Sequence, residues 1–218
     1  MLYKDSMPHL LKKYFVTTKQ DSEYKRTKIL GGIVYLKEEL KGLRRTIVRF
    51  LGIEIYKTSP KTIVFYAHDG LGDYILRRNF FESIKSSKKY KDHKIVLLVI
   101  DTLYDFVRSY DKCADEVILL KEGQLGDVIK TVNTCNVTDI VDVSVYTWPD
   151  KSYITKKIIK GVRAKNKIAF KFDLHNGAPF INRCYTKVIE IPERILFEFE
   201  RNRLFFSELI GETIEYTP

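Results

Sequence analysis

Between a short β-rich run, Thr62–Tyr66, and a helical pattern opening at Asp73 stands the loop His68-Asp69-Gly70-Leu71-Gly72-Asp73. Its residue types suit chemistry. Two glycines permit a tight turn and let a ligand approach the backbone closely at Gly70 and Gly72. A helix N-terminus behind them presents unpaired N–H groups and a partial positive charge. A carboxylate at that terminus is stabilised by the dipole and can cap the helix. On the residues alone Asp73 therefore reads as a helix cap.

A dinucleotide fingerprint competes for the same loop. Gly70 and Gly72 match the first part of GxGxxG, and Asp101, ending the next apolar run, mimics the ribose-binding acid. The third glycine is missing. Ile75 stands in its place, and a β-branched side chain there obstructs close helix–strand packing.

Further candidates fall in later loops. Tyr146, Trp148 and Asp150 follow the run Asp139–Val145, and Asp173, His175 and Asn176 follow Lys167–Lys171. Aromatic and polar side chains there could contact a ligand, although Trp148-Pro149 also reads as turn packing and His175-Asn176-Gly177 as a turn. Arg77 and Arg78 read either as contacts to an anionic ligand or as a solvated helix face. No metal constellation is present in the sequence, so no metal is expected.

The elements that must position these residues alternate. Strand runs at Thr62–Tyr66, Lys94–Ile100, Glu116–Leu120, Asp139–Val145, Lys167–Lys171 and Lys187–Ile191 are separated by helical patterns at Asp73–Lys89, Thr102–Tyr110, Leu125–Thr134, Pro149–Lys160 and, after the last strand, Glu193–Ile210. Lys94–Ile100 is almost wholly apolar, as a strand buried on both faces requires. Gly211 falls where a left-handed helix cap is usual. Short apolar strands alternating with helices specify an α/β domain, Rossmann-like, with a mainly parallel sheet and helices on both faces. In such sheets ligands gather at the carboxyl ends of the strands, where the Gly70–Asp73 loop should lie.

The first quarter differs. Residues 1–60 hold thirteen Lys/Arg against six Asp/Glu, and so carry most of the net charge of +10 of the 218-residue chain. Ile29, Ile33, Leu36, Leu40, Leu43, Ile47 and Phe50 follow at alternating steps of four and three, which predicts an amphipathic helix over residues 29–51. Gly31, Gly32 and Gly42 weaken it, each by about 1 kcal/mol relative to Ala. Such a basic helix packs on its own domain, meets a partner helix, or docks on an anionic membrane surface. The expected division is a basic extension over 1–59, a Rossmann-like domain over 60–211 and the start of a linker over 212–218. Three scattered cysteines without ligand spacing suit a reducing compartment. No apolar run approaches the ~20 residues of a membrane-spanning helix. The expected location is cytoplasmic, peripheral at most on the inner face of the cytoplasmic membrane. With no recognition motif in the basic arm, no nucleic-acid partner is expected.

The stretch Ile63–Phe81, IVFYAHDGLGDYILRRNFF, resembles the start of family 9 glycosyltransferases, the ADP-heptose:lipopolysaccharide heptosyltransferase group. RCYTKVIEIP and FEFERNRLFFSELIG are similar to the end of that family's first domain, so the resemblance covers roughly Lys61 to Gly211. It implies the N-terminal, acceptor-side half of a GT-B fold, with Asp73 as general base for inverting sugar transfer. Gly70, Gly72, Arg78, Tyr146, Trp148 and His175 would meet a saccharide or glycolipid acceptor. It also implies that a nucleotide-sugar donor binds a second domain that these residues do not include, supplied by a separate donor-binding chain or lost. No other cofactor is expected. A non-catalytic module that kept the fold without the donor side is the alternative.

Overall fold

The computed structural model describes residues 16–20, 24–29, 35–40, 45–50, 53–57, 59–144, 152–170, 183–192 and 197–215. The chain divides into two compact units, Met1–Pro60 and Lys61–Pro218.

The first unit corrects the helix expected over residues 29–51. Its described residues form five strands, β1 (Val16–Gln20), β2 (Tyr24–Ile29), β3 (Tyr35–Leu40), β4 (Arg45–Phe50) and β5 (Ile53–Lys57). They pair in chain order as an antiparallel meander, with an irregularity between Val48 and Arg49 where β4 meets β5. Two effects favour strands over the helix. The segments are rich in β-branched and aromatic residues, such as Thr46-Ile47-Val48 and Ile55-Tyr56. Gly31, Gly32, Gly42 and Gly52 lie in sequence between the strand ranges, and each would cost a continuous helix through them about 1 kcal/mol relative to Ala. A membrane-docking helix over these residues is thereby removed from consideration.

The second unit is an α/β domain. Its six strands are β6 (Lys61–Ala67), β7 (Lys94–Ile100), β8 (Glu116–Leu120), β9 (Asn136–Asp142), β10 (Asn166–Phe170) and β11 (Lys187–Ile189). The helices are α1 (Leu71–Arg78), α2 (Phe80–Ser86), α3 (Asp101–Tyr110), α4 (Leu125–Val132), α5 (Ser152–Gly161) and α6 (Glu198–Ile210). The sheet runs β11-β10-β9-β6-β7-β8, and every pairing is parallel. The expected Rossmann-like sheet is present. Chain order reverses between β6 and β9, so the switch-point crevice opens at their carboxyl ends.

Strand alternation assigns each face a core. Ile63, Phe65 and Ala67 of β6 join Tyr74, Phe80, Phe81, Leu103, Val107, Phe205 and Phe206 beneath α1, α2, α3 and α6. Val64 and Tyr66 join Val128, Val132, Ile154 and Ile158 beneath α4 and α5. The rings of Phe80 and Phe206 stack at 5.4 Å, which ties α2 to α6. Gly211 ends α6 at φ +73°, the left-handed cap its sequence position predicts, and Gly211 and Glu212 both donate to the Ser207 carbonyl. On the inner side of α1 Tyr74 and Arg77 are buried, while Ile75 is 47% exposed.

Candidate active site at the carboxyl edge of β6 and β9

At the end of β6 the chain turns into α1 through His68, Asp69 and Gly70. Gly70 is the N-cap residue, in extended conformation at φ −75° and ψ 167°, and the cap carries no side-chain hydrogen bond. Asp73 is thus the third helical residue, not a capping side chain. Its carboxylate is exposed on the first turn. A Cβ on Gly70 would lie 3.6 Å from Asp73 Oδ2, so this carboxylate lies close over the turn. A Cβ on Gly72 would meet nothing within 4 Å. The helix start is therefore open around Gly72, and Asp73 beside it is exposed.

Beneath this turn sits Arg77, wholly buried. Its Nε–H donates to the Asp73 carbonyl at 3.2 Å, one terminal nitrogen donates to the Val143 carbonyl just past β9, and the other to Asp69 Oδ2. One guanidinium thus ties α1 to the ends of both switch-point strands. Asp69 Oδ1 is buried without a hydrogen-bond partner. Burial raises the Asp69 carboxyl above its ordinary range, and the Arg77 charge pulls it back down.

On the other face a buried polar network backs the crevice. The His68 N–H donates to Ser144 Oγ at 3.3 Å, and the imidazole Nε2 lies 3.5 Å from Thr155 Oγ1 and 3.9 Å from Asp142 Oδ1. Asp142 accepts from the Ser144 N–H at 3.1 Å and from the Tyr185 hydroxyl. The Tyr66 hydroxyl pairs with Thr155 Oγ1 at 3.3 Å. Alternation explains the gathering: His68 continues the face of Val64 and Tyr66, and Ser144 that of Ile140 and Asp142.

Burial pushes the Asp142 carboxyl from 3.8 up to about 6, against the lowering effect of the Tyr185 and Ser144 hydrogen bonds and the Arg77 charge. Glu198, opening α6, is raised by burial too, while Arg201 and Arg77 lower it and Asp73 and Asp69 push it up. Raised carboxylates gathered at one sheet edge make it a candidate functional site. The sign for stability is set by a folded value above the unfolded one. Asp142 then contributes stability that is full below about 3.8 and is lost as pH rises toward 6. Asp142→Asn should therefore stabilise the protein at pH 7 by up to about 3 kcal/mol, and by nearly nothing at pH 4. Urea melts of both proteins at the two pH values check this; a variant less stable by the same amount at both would contradict it.

No protein-family model matches the chain, and no curated protein matches it in sequence. Solved structures do match in fold. E. coli heptosyltransferase WaaC with ADP superposes at a TM-score of 0.55 with 13% identity, over 72% of this chain and 49% of that one. The glycosyl transferase family 9 protein from Veillonella parvula DSM 2008 superposes at 0.54 with 18% identity, over 71% and 43%. The α/β unit has a family 9 glycosyltransferase-like fold. E. coli ADP-heptose lps heptosyltransferase II agrees at a TM-score of 0.50, with 9% identity over 66% of this chain and 40% of that one. The chain spans about half the length, or less, of these heptosyltransferase-type proteins.

Within this heptosyltransferase-like fold the sequence candidates separate. Gly70, Gly72 and Asp73 stand together at the crevice. Arg78 points its chemistry elsewhere: its Nε–H donates to Asp111 Oδ1 at 2.9 Å, with the guanidinium over the Phe106 ring, which joins α1 to the end of α3. Tyr146, Trp148, Asp150, Asp173, His175 and Asn176 lie outside the described residues. Asp142 and Glu198 carry no sequence expectation as site residues, and Arg77, read as an anion contact or a solvated helix face, is instead wholly buried. For Arg77 a signal existed, since with Tyr74 and Phe81 it completes an i, i+3, i+7 inner stripe.

Proposed function

We propose that the α/β unit is the acceptor-side domain of an inverting sugar transferase of the heptosyltransferase type, with Asp73 as its general base. The observation that carries this reading is the Asp73 carboxylate itself, exposed and not engaged in capping at the switch-point crevice of a heptosyltransferase-like fold. In the reaction the acceptor hydroxyl gives its proton to Asp73 as its oxygen attacks the anomeric carbon. The bond from that carbon to the diphosphate oxygen breaks, and the nucleoside diphosphate leaves with the bonding pair. Gly70 and Gly72 allow the acceptor close to the helix start. The acceptor class is a saccharide or glycolipid of the cell envelope, and the donor a nucleotide-sugar held by a second domain, on this polypeptide or another. The three free cysteines suit a cytoplasmic setting. No helix among the described residues is long and apolar enough to cross a membrane.

The same fold also suits a second reading, a binding module without catalysis. Calorimetry with ADP-heptose tests the division of labour. The 218-residue chain should show no appreciable affinity, whereas a dissociation constant in the low micromolar range (about −8 kcal/mol) would overturn the acceptor-side assignment. Transfer regained when a donor-binding domain is added or fused would exclude the non-catalytic module.

A further inference from the structure

We propose that Arg77 is the positioning residue of the crevice, holding the first turn of α1, and Asp73 with it, in a fixed place against the ends of β6 and β9. The inference rests on the reading of Asp73 as base for what the positioning serves, and on geometry for the positioning itself. Arg77 lies one turn beyond Asp73 and bonds that residue's own carbonyl at 3.2 Å. Its two terminal nitrogens reach the carbonyl of Val143 and the carboxylate of Asp69. The helix, the loop that opens it and the distant end of β9 are thus joined by one planar fork, a task that suits arginine's fixed donor geometry and that a single ammonium cannot repeat.

Packing alone does not account for this residue. Arg77 is the one buried Lys or Arg side chain among the described residues. It sits on the face whose core is Phe65, Phe81, Val141, Val143 and Phe206. Burying a guanidinium is costly, and an apolar side chain of similar volume often serves stability as well or better. An apolar side chain would leave the Val143 carbonyl and the Asp69 carboxylate without their donors. The latch also has a charge consequence. The positive charge of Arg77 works against burial at Asp69, Asp142 and Glu198 together and favours the ionised form of each.

Amide hydrogen exchange on the full chain tests the latch without any substrate. In Arg77→Lys the amides of Tyr74 and Val143, which bond Gly70 O at 3.1 Å and Tyr66 O at 3.1 Å, should exchange about ten-fold faster or more. Leu97 and Leu98 at the centre of β7 should change little. Asp69→Asn, which keeps the loop's shape and removes one arm of the latch, should give the same local pattern if Arg77→Lys does not fold. A uniform change across the sheet, or none, overturns the proposal. The second arm uses the chain joined to a donor-binding domain, with ADP-heptose as donor. There Arg77→Lys should lower kcat by about 100-fold and leave the acceptor KM near its wild-type value. Local loosening with kcat unchanged also overturns the positioning role. A wild-type assembly that transfers nothing instead refutes the reading of Asp73, and exchange alone then decides the latch.

Discussion

Asp73→Asn should fold like the wild type and lose transfer by 10²–10⁴-fold, the usual cost of removing a positioned base. An amide has the shape of a carboxylate but cannot accept the acceptor's proton. The structure sharpens the comparison, because the capping explanation predicts a different pattern. A capping aspartate changed to Ala would cost about 1 kcal/mol, with Asn almost neutral. Here Gly70 is the N-cap and no side-chain cap bond exists, so the helix draws from Asp73 only its interaction with the dipole. Thermal melts should accordingly place both Asp73→Asn and Asp73→Ala within a few tenths of a kcal/mol of wild type, roughly the low end of a dipole contribution. Steady-state transfer in a chain equipped with a donor-binding domain supplies the rate. Near-normal turnover by the Asn variant would end the catalytic assignment, and a large loss of stability by either variant would show a structural role that the hydrogen bonds do not reveal.

What the sequence disclosed follows from how local each signal is. The bounds of β7 and β8 agree with the sequence expectation: β7, buried on both faces, writes itself as a continuous apolar run, and the half-buried edge strand β8 as the short run Val117–Leu120. Gly211 was legible because its left-handed angle permits few other residues. The site was half legible for the same reason. Gly70, Gly72 and Asp73 are near neighbours in the chain, whereas the Asp142 network joins residues from β6, β9, α5 and the stretch before β11, with bonded partners as much as 89 positions apart. No periodicity encodes such a meeting. Arg77 was obscured by composition, since beside Arg78 and Asn79 it reads as part of a solvated face. The first unit misled through coincidence of period. Ile29 closes β2, Leu36 and Leu40 belong to β3, and Ile47 and Phe50 to β4, while Ile33 and Leu43 fall between strands. Their spacing mimics a helical stripe only when the intervening glycines are discounted.

Arg77→Met should destabilise the α/β unit by about 3–5 kcal/mol, the range expected when one partner of a buried charge pair is removed. Methionine fills much of the same volume, so cavity formation contributes little. The loss comes from what Arg77 leaves behind: an Asp69 carboxylate that is 10% exposed, with neither oxygen then paired, and a Val143 carbonyl without its donor. A domain's whole stability is about 5–15 kcal/mol, so urea melts should show a much earlier midpoint with an unchanged slope. The pH dependence identifies the cause. Without Arg77 the Asp69 carboxyl, already raised by burial, rises further, and a raised folded value means stability that is present below the ordinary carboxylate range and lost as pH climbs. The gap between Arg77→Met and wild type should therefore narrow on acidification from pH 7 to 4. Asp69→Asn placed in the Arg77→Met background should recover about 1 kcal/mol or more at pH 7, because an amide left in the same place carries no charge. A gap that is constant with pH, or an Asn substitution that deepens the loss, would assign the effect to packing in the core of Phe65, Phe81 and Phe206 and not to the stranded carboxylate.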